Sequence, residues 1–276
     1  MVIGAGWNGA RAFTATSGPG VSLMTEFIGL SYFAEIPAVI MNVQRAGPST
    51  GMPTRTQQCD VISCGYASHG DTKHPMLFPE DPHEAFEMAA QCFDLAERLQ
   101  TVIFLMLDLD IGMNHRLCRP LKWDDSKQYD RGKVMTAAML DEGRDFGRYL
   151  DVDGDGIPFR TYPGTHPTKG SFFTRGTSRD RYARYSEEGA VYLDNMQRLL
   201  RMIGSPAEHE DPLVQAARVR QAVQRAYRPA GVLRRHRLQR RPAVHVPPWD
   251  ACSSPGAGSL RQWRRWTQKS PARRAC

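Results

Sequence analysis

AVIMNV at Ala38–Val43 and VIFLML at Val102–Leu107 are the two runs that decide the fold. Each is apolar at both odd and even positions, so a strand built from either must be covered on both faces. Helices packed on the two sides of a parallel sheet provide that cover. Before the first run, Phe13–Thr16 (FTAT) is a short β-prone piece stopped by Ser17-Gly18-Pro19-Gly20, which reads as a turn. Val21–Phe33 then spaces Leu23, Met24, Phe27, Leu30 and Phe33 at helical intervals, predicting one apolar face, and Pro37 ends the segment. Before the second run, Asp81-Pro82-His83-Glu84 combines an N-cap Asp, a Pro at the first helical position and a Glu at the third, a capping box. The helix it starts should bury Phe86, Ala89, Ala90, Phe93, Ala96 and Leu99. Strand, helix, strand, loop, helix, strand is a βαβ succession, so the expected fold class is α/β with parallel strands and right-handed crossovers.

In such open sheets ligands bind beyond the carboxyl ends of the strands. That rule selects the loops after Thr16, Val43 and Leu107. The loop after Val43, QRAGPSTGMPTRT, is the most unusual, because it joins a fixed cation, Arg45, to hydroxyls and two glycines. Arg suits bidentate capture of a carboxylate or phosphate. By composition alone, a solvated Arg beside a Gly/Pro turn explains the same residues. The loop TATSGPG leads Thr16, Ser17 and Gly18 into a helix N-terminus, where free N–H groups favour an anion; a tight β-to-α turn accounts for it equally well.

The chain has 276 residues, enough for one large domain or two small ones. No apolar run reaches the ~18 residues of a membrane span and no signal peptide opens the chain, so neither a membrane nor a secreted protein is expected. Six dispersed cysteines with no Cys-x-x-Cys pair suggest buried thiols in a reducing cytoplasm, not a metal or redox dithiol. The net charge of +7 conceals an asymmetry. From Ala216 onward, 14 Arg and 1 Lys face the single acid Asp250, whereas the preceding 215 residues hold 21 basic and 28 acidic groups.

Three short motifs are decoys. Gly4-Ala5-Gly6-Trp7-Asn8-Gly9 is a literal GxGxxG, but no strand can precede it. Asp151-Val152-Asp153-Gly154-Asp155-Gly156 imitates the start of a calcium loop, yet the twelfth position is Tyr162; a carboxylate-lined turn is the better reading, and a weak cation site the lesser one. The same Gly154-Asp155-Gly156 lacks an Asn at the spacing of a thiamine diphosphate metal motif. His69, His74, His83, His115 and His166 are scattered, with no pairing suited to a metal or a nucleophile, so no metal site is expected.

Composition divides the chain at about residues 115 and 204. Gly9–Leu30, Ile36–Asp60 (IPAVIMNVQRAGPSTGMPTRTQQCD), Leu107–Asn114 (LDLDIGMN), Arg148–Thr177 and Arg181–Glu188 together resemble the alpha subunits of 2-oxoacid:ferredoxin oxidoreductases, best those of the 2-oxoglutarate type. The resemblance runs from about residue 1 to about 202. It implies that 1–115 is part of the pyrimidine-side domain of a thiamine diphosphate-binding fold and 116–204 a polar connecting segment of the subunit. It implies oxidative decarboxylation of a 2-oxoacid with coenzyme A to acyl-CoA and carbon dioxide, with electrons passed to ferredoxin. Thiamine diphosphate provides the carbanion and electron sink for that chemistry. The implied partner is a beta subunit holding the diphosphate, magnesium and an iron–sulfur cluster. Arg45 and Thr54 are the residues it implies for the substrate's carboxylate and 2-oxo group, with Thr16, Ser17 and Gly18 close to the cofactor.

The family has sequence ahead of the point matching Met1, including a Tyr-Pro-Ile-Thr-Pro motif and the glutamate that activates the cofactor. No catalytic residue is therefore expected in this chain, and the expectation is of a subunit truncated at its N-terminus. After about Ile203 the family pattern stops. The stretch 205–276 is Arg/Pro/Trp-rich and predicted to be irregular and disordered, with the composition of a GC-rich gene read in a shifted frame. A non-functional gene product is one alternative. Another is a tail that grips nucleic acid by phosphate neutralisation and stacking, although nucleic acid is not the expected partner.

Overall fold

The computed structural model describes residues 1–174 and 176–204, so the predicted disordered tail lies outside the described residues. In chain order the elements are α1 (Val2–Trp7), β1 (Phe13–Thr16), α2 (Gly18–Ala34), β2 (Ala38–Gln44), α3 (Val61–Gly65), β3 (Met76–Leu77), α4 (Pro82–Leu99), β4 (Val102–Asp108), α5 (Leu109–Met113), α6 (Ala137–Asp141) and α7 (Gly189–Gly204). The two apolar runs lie side by side: β2 pairs with β4 in parallel, from Ala38 opposite Val102 to Gln44 opposite Asp108. β1 flanks β2, and β3 flanks β4, giving a sheet of order β1-β2-β4-β3 with every pairing parallel. The expected α/β class with a parallel sheet is thus the observed one.

Side-chain alternation distributes these strands over two cores. Val39, Ile103 and Leu105 face a cluster with Met88, Leu95 and Leu199. Ala38, Ile40, Phe104 and Met106 face the other side, against Val21 and Ile28. Burial pushes the thiols of Cys64 and Cys92 up to about 12, making them inert. Cys59 and Cys118 are exposed, so the expectation of buried thiols holds for only part of the set.

The helices begin and face differently from the sequence pattern. Ser17-Gly18-Pro19-Gly20 is not a separate turn. Ser17 is the extended N-cap of α2, and Pro19 lies in its first turn, where its missing N–H costs nothing. The buried side of α2 is Val21, Ile28, Ser31, Tyr32 and Ala34, while Leu23 and Phe27 of the expected face are exposed. Apolar residues run round the whole of this helix, so periodicity has little power to select a side. On α4 the capping box forms with a shift: Asp81 Oδ1 accepts from the Glu84 N–H at 2.8 Å, but Glu84 reaches the N–H of Glu80 instead of the N-cap residue. The fully buried stripe there is Met88, Cys92, Leu95, Ala96 and Leu99, with Ala89 and Phe93 packed partly against the core. The GxGxxG decoy forms α1 and the turn after it, with no strand before it.

Residues 116–204, expected as a polar connecting segment, contribute α7 to the first core through Met196, Leu199 and Met202. What fastens this segment is electrostatic. Glu35, fully buried, terminates α2 in the left-handed conformation. Its carboxylate takes both terminal nitrogens of Arg198, and Arg179 lies 3.6 Å away. Arg148 donates to the Glu35 carbonyl at 2.7 Å. Asp151–Gly156 is the carboxylate-lined turn preferred above. Asp151 accepts from the N–H groups of Gly154 and Gly156, and Lys133 pairs with Asp153 and Asp155.

Two stability tests follow from these groups. Glu35→Gln would leave buried guanidiniums without their counter-charge, and should lower unfolding stability by about 3–5 kcal/mol in urea titration. A loss under about 1 kcal/mol would show that the arginines are balanced elsewhere. His74 is buried between Tyr32 and Phe104, and desolvation lowers its pKa to about 4. A folded pKa below the unfolded value means the unfolded chain binds the proton first. Stability present above about pH 6.5 should therefore drain as pH falls toward 4, by up to about 3 kcal/mol. His74→Phe should flatten that part of the profile; the Ala67 carbonyl, which accepts from His74 Nε2, would keep its bond from the Thr72 hydroxyl.

Candidate functional site

Because every strand runs the same way, Thr16, Gln44 and Asp108 end at one edge of the sheet, and the register sets Thr16 beside Asn42 and Gln44 beside Asp108. The polar residues at these strand ends hold the following loops. Gln44 donates to the Leu107 carbonyl at 3.3 Å and accepts from the Asp60 N–H at 3.1 Å. Asn42 Nδ2 bonds Asp60 Oδ2 and the Cys64 sulfur, each at 3.2 Å. Asp108 Oδ1 caps α5 through the N–H groups of Asp110 and Ile111, while its other oxygen accepts from Gln58 at 2.8 Å. The loops after Val43 and Leu107 are therefore joined by one polar network.

Arg45 stands where β2 ends. It is half-buried, and its Nε is a buried donor with no hydrogen-bond partner among the described residues. Such a donor is costly unless something accepts from it. Thr54 is exposed on the same loop. The Ala46 N–H donates to the Arg55 carbonyl at 2.9 Å, and the Met52 N–H to the Ala46 carbonyl at 3.2 Å. This neck brings the residues immediately after Arg45 and Thr54 into direct contact. Within it Gly51 has φ +44°, and a Cβ there would lie 2.5 Å from the Ala46 carbonyl.

Thr16 and Ser17 are half-buried at the end of β1, and Gly18 opens α2. The first turn of α2 already faces an anion of the chain itself: a Cβ on Gly18 would sit 2.3 Å from Asp60 Oδ1. A carboxylate here suits the positive end of the helix. Asn42, Gln44, Gln58, Asp60 and Asp108 were not singled out from the sequence. Asn42 and Gln44 carried a signal, since polar side chains closing an apolar strand need partners; Asp60 and Gln58 sit in loops and carried none. Among the described residues no group of three or more His, Cys, Asp or Glu side chains is arranged to hold a metal.

A parallel sheet whose strand ends carry this polar network defines the class of cofactor-binding α/β domains, and comparison narrows it. Residues 1–137 match the pyruvate flavodoxin/ferredoxin oxidoreductase family, thiamine diphosphate-binding domain. The chain is similar to the 2-oxoglutarate synthase subunit KorA of Methanocaldococcus jannaschii, with 45% identity over 111 residues, covering 40% of this chain and 30% of that one. It is also similar to subunit alpha of the 2-oxoacid:ferredoxin oxidoreductase 2 of Aeropyrum pernix, with 38% identity over 188 residues, covering 68% of this chain and 28% of that one. The 2-oxoglutarate:ferredoxin oxidoreductase of Magnetococcus marinus, solved with 2-oxoglutarate, coenzyme A and succinyl-CoA bound, superposes with a TM-score of 0.66. The match has 25% identity over 75% of this chain and 35% of that one. The aligned parts span about a third or less of these relatives' length.

The residues fit thiamine diphosphate in part. Arg45 offers an unpaired donor for an acid, and Thr16–Gly18 lead into the start of α2, but the described residues assemble no ligand set for a diphosphate-bound metal. The packing of Asp60 on Gly18 has a direct test. Gly18→Ala should cost about 1–3 kcal/mol, and much less in an Asp60→Ala background. Equal costs in both backgrounds, measured by chemical denaturation, would show that Asp60 does not press on this turn.

Proposed function

We propose that this chain forms part of the alpha subunit of a 2-oxoacid:ferredoxin oxidoreductase acting on 2-oxoglutarate. The reaction converts the 2-oxoacid and coenzyme A to acyl-CoA and carbon dioxide, and passes two electrons to ferredoxin. The observation that carries the reading is the buried Nε of Arg45, unpartnered among the described residues, at the end of β2 and within the stretch that matches the family. The relatives named above act on 2-oxoacids, which supports the substrate class.

In this reading Arg45 binds the substrate's carboxylate, and the Thr54 hydroxyl donates to the 2-oxo oxygen across the loop neck. Thr16, Ser17 and Gly18 stand beside thiamine diphosphate, which supplies an electron sink for decarboxylation when bound. A beta subunit completes the site with the diphosphate and magnesium side and an iron–sulfur cluster. No described residue is assigned the activation of the cofactor; this chain's part is to bind and orient the acid. The described helices include none long and apolar enough to cross a membrane.

The test is Arg45→Ala in the enzyme assembled with its partner subunit. The KM for the 2-oxoacid should rise about 10–100-fold, the worth of one charge-assisted hydrogen bond. Thiamine diphosphate affinity should change less than about twofold by the same logic. Equal losses of both would make Arg45 a structural residue of the loop.

A further inference from the structure

At the opposite end of the sheet from the candidate site, the buried charges among the described residues do not balance. Arg148, Arg160, Arg179 and Arg198 are each no more than 4% exposed, and face two buried carboxylates, Glu35 and Glu97. Those carboxylates are already engaged. Glu35 is taken by Arg198, and Glu97 by Arg160 and the Tyr162 hydroxyl. Asp151, at the rim, accepts from Gly154 and Gly156 and pairs with Arg201. Uncompensated charge in a protein interior is strongly disfavoured, so an anion beside the surplus guanidiniums would be stabilising.

A cavity lies beside the surplus. Its walls include Trp7, Glu35, Pro37, Arg148, Arg160 and Phe172, and its free volume of about 20 Å³ suits one water-sized occupant. Two buried donors of its wall residues have no partner, Arg148 Nη1 and Arg160 Nε. Arg148 Nη1 is 3.9 Å from the Glu35 carboxylate, too long for a hydrogen bond. The hydroxyls nearby are used elsewhere: Thr161 donates to the Gly170 carbonyl, and Thr174 bonds the Tyr149 hydroxyl. Two unsatisfied cationic donors and an apolar ring on a space of this size describe a site for a small, singly charged, weakly hydrated anion.

We propose that this cavity binds a monatomic halide, chloride in solution, held by Arg148 and Arg160. The ion offsets part of the surplus charge where 148–160 meets the end of α2, and so links the stability of that junction to halide concentration.

The full chain provides the test. At fixed ionic strength, replacing sodium gluconate by sodium chloride or bromide should raise the Tm saturably, by roughly 3 °C at ten times the dissociation constant. Arg148→Met should abolish the halide-specific increment. Should that variant fail to fold, crystals of the unaltered protein grown in sodium bromide decide the matter. An anomalous peak within about 3.5 Å of Arg148 Nη1 is expected. Absence of both a halide-specific shift and an anomalous peak would mean that water fills the cavity, and the proposal falls. An increment that survives Arg148→Met overturns it as well.

Discussion

Seven consecutive residue pairs between β2 and β4 are the constraint on which the rest depends. Strands apolar on both parities cannot leave a face in water, so helices must cover each side, and parallel pairing then forces every crossover over the sheet. The same direction of travel gathers the ends of β1, β2 and β4 at one edge. The site is a by-product of that geometry before any functional residue is considered. Asn42 and Gln44 show how the strand adapts to it: the last turns of the pleat exchange apolar side chains for amides that hold Asp60 and the Leu107 carbonyl.

The fold was legible because its signals are local and redundant. The apolar runs gave β2 and β4 within a residue, and the Asp81–Glu84 box located the start of α4. Helix orientation was less legible. Leu23 and Phe27 look like core on size and spacing, yet they are exposed, since α2 is apolar on all sides and only its packing against the sheet selects Val21, Ile28 and Tyr32. Of the candidate site, Arg45 was readable as a cation at a strand end, and Thr54 through resemblance alone. Asp60 was not readable, because its role arises from a close approach to Gly18 across 42 positions of chain, a contact that no periodicity encodes.

The two ends of the sheet use charge in opposite ways. At the carboxyl ends, carboxylates and amides satisfy helix starts and leave one guanidinium donor unspent, as a binding surface requires. At the amino ends, guanidiniums converge on Glu35 and stack on aromatic rings, with Arg179 lying 3.9 Å from the ring centre of Tyr149 and 4.3 Å from that of Phe33. Planar cations pack on rings with less loss of hydration than an ammonium would suffer, which is why Arg and not Lys is used there.

Glu35 also separates two meanings of the word domain. The match to the family's domain model ends at residue 137, but the partners of Glu35 are Arg148, Arg179 and Arg198, all beyond it. A polypeptide cut at 137 would keep the whole sheet and yet strand a carboxylate in its interior, while uncovering the side of α4 and β4 that Leu199 and Met202 close. The stretch matched by the family model and the unit that packs together therefore have different ends. Transplanting the sheet into another protein would require carrying the later arginines with it.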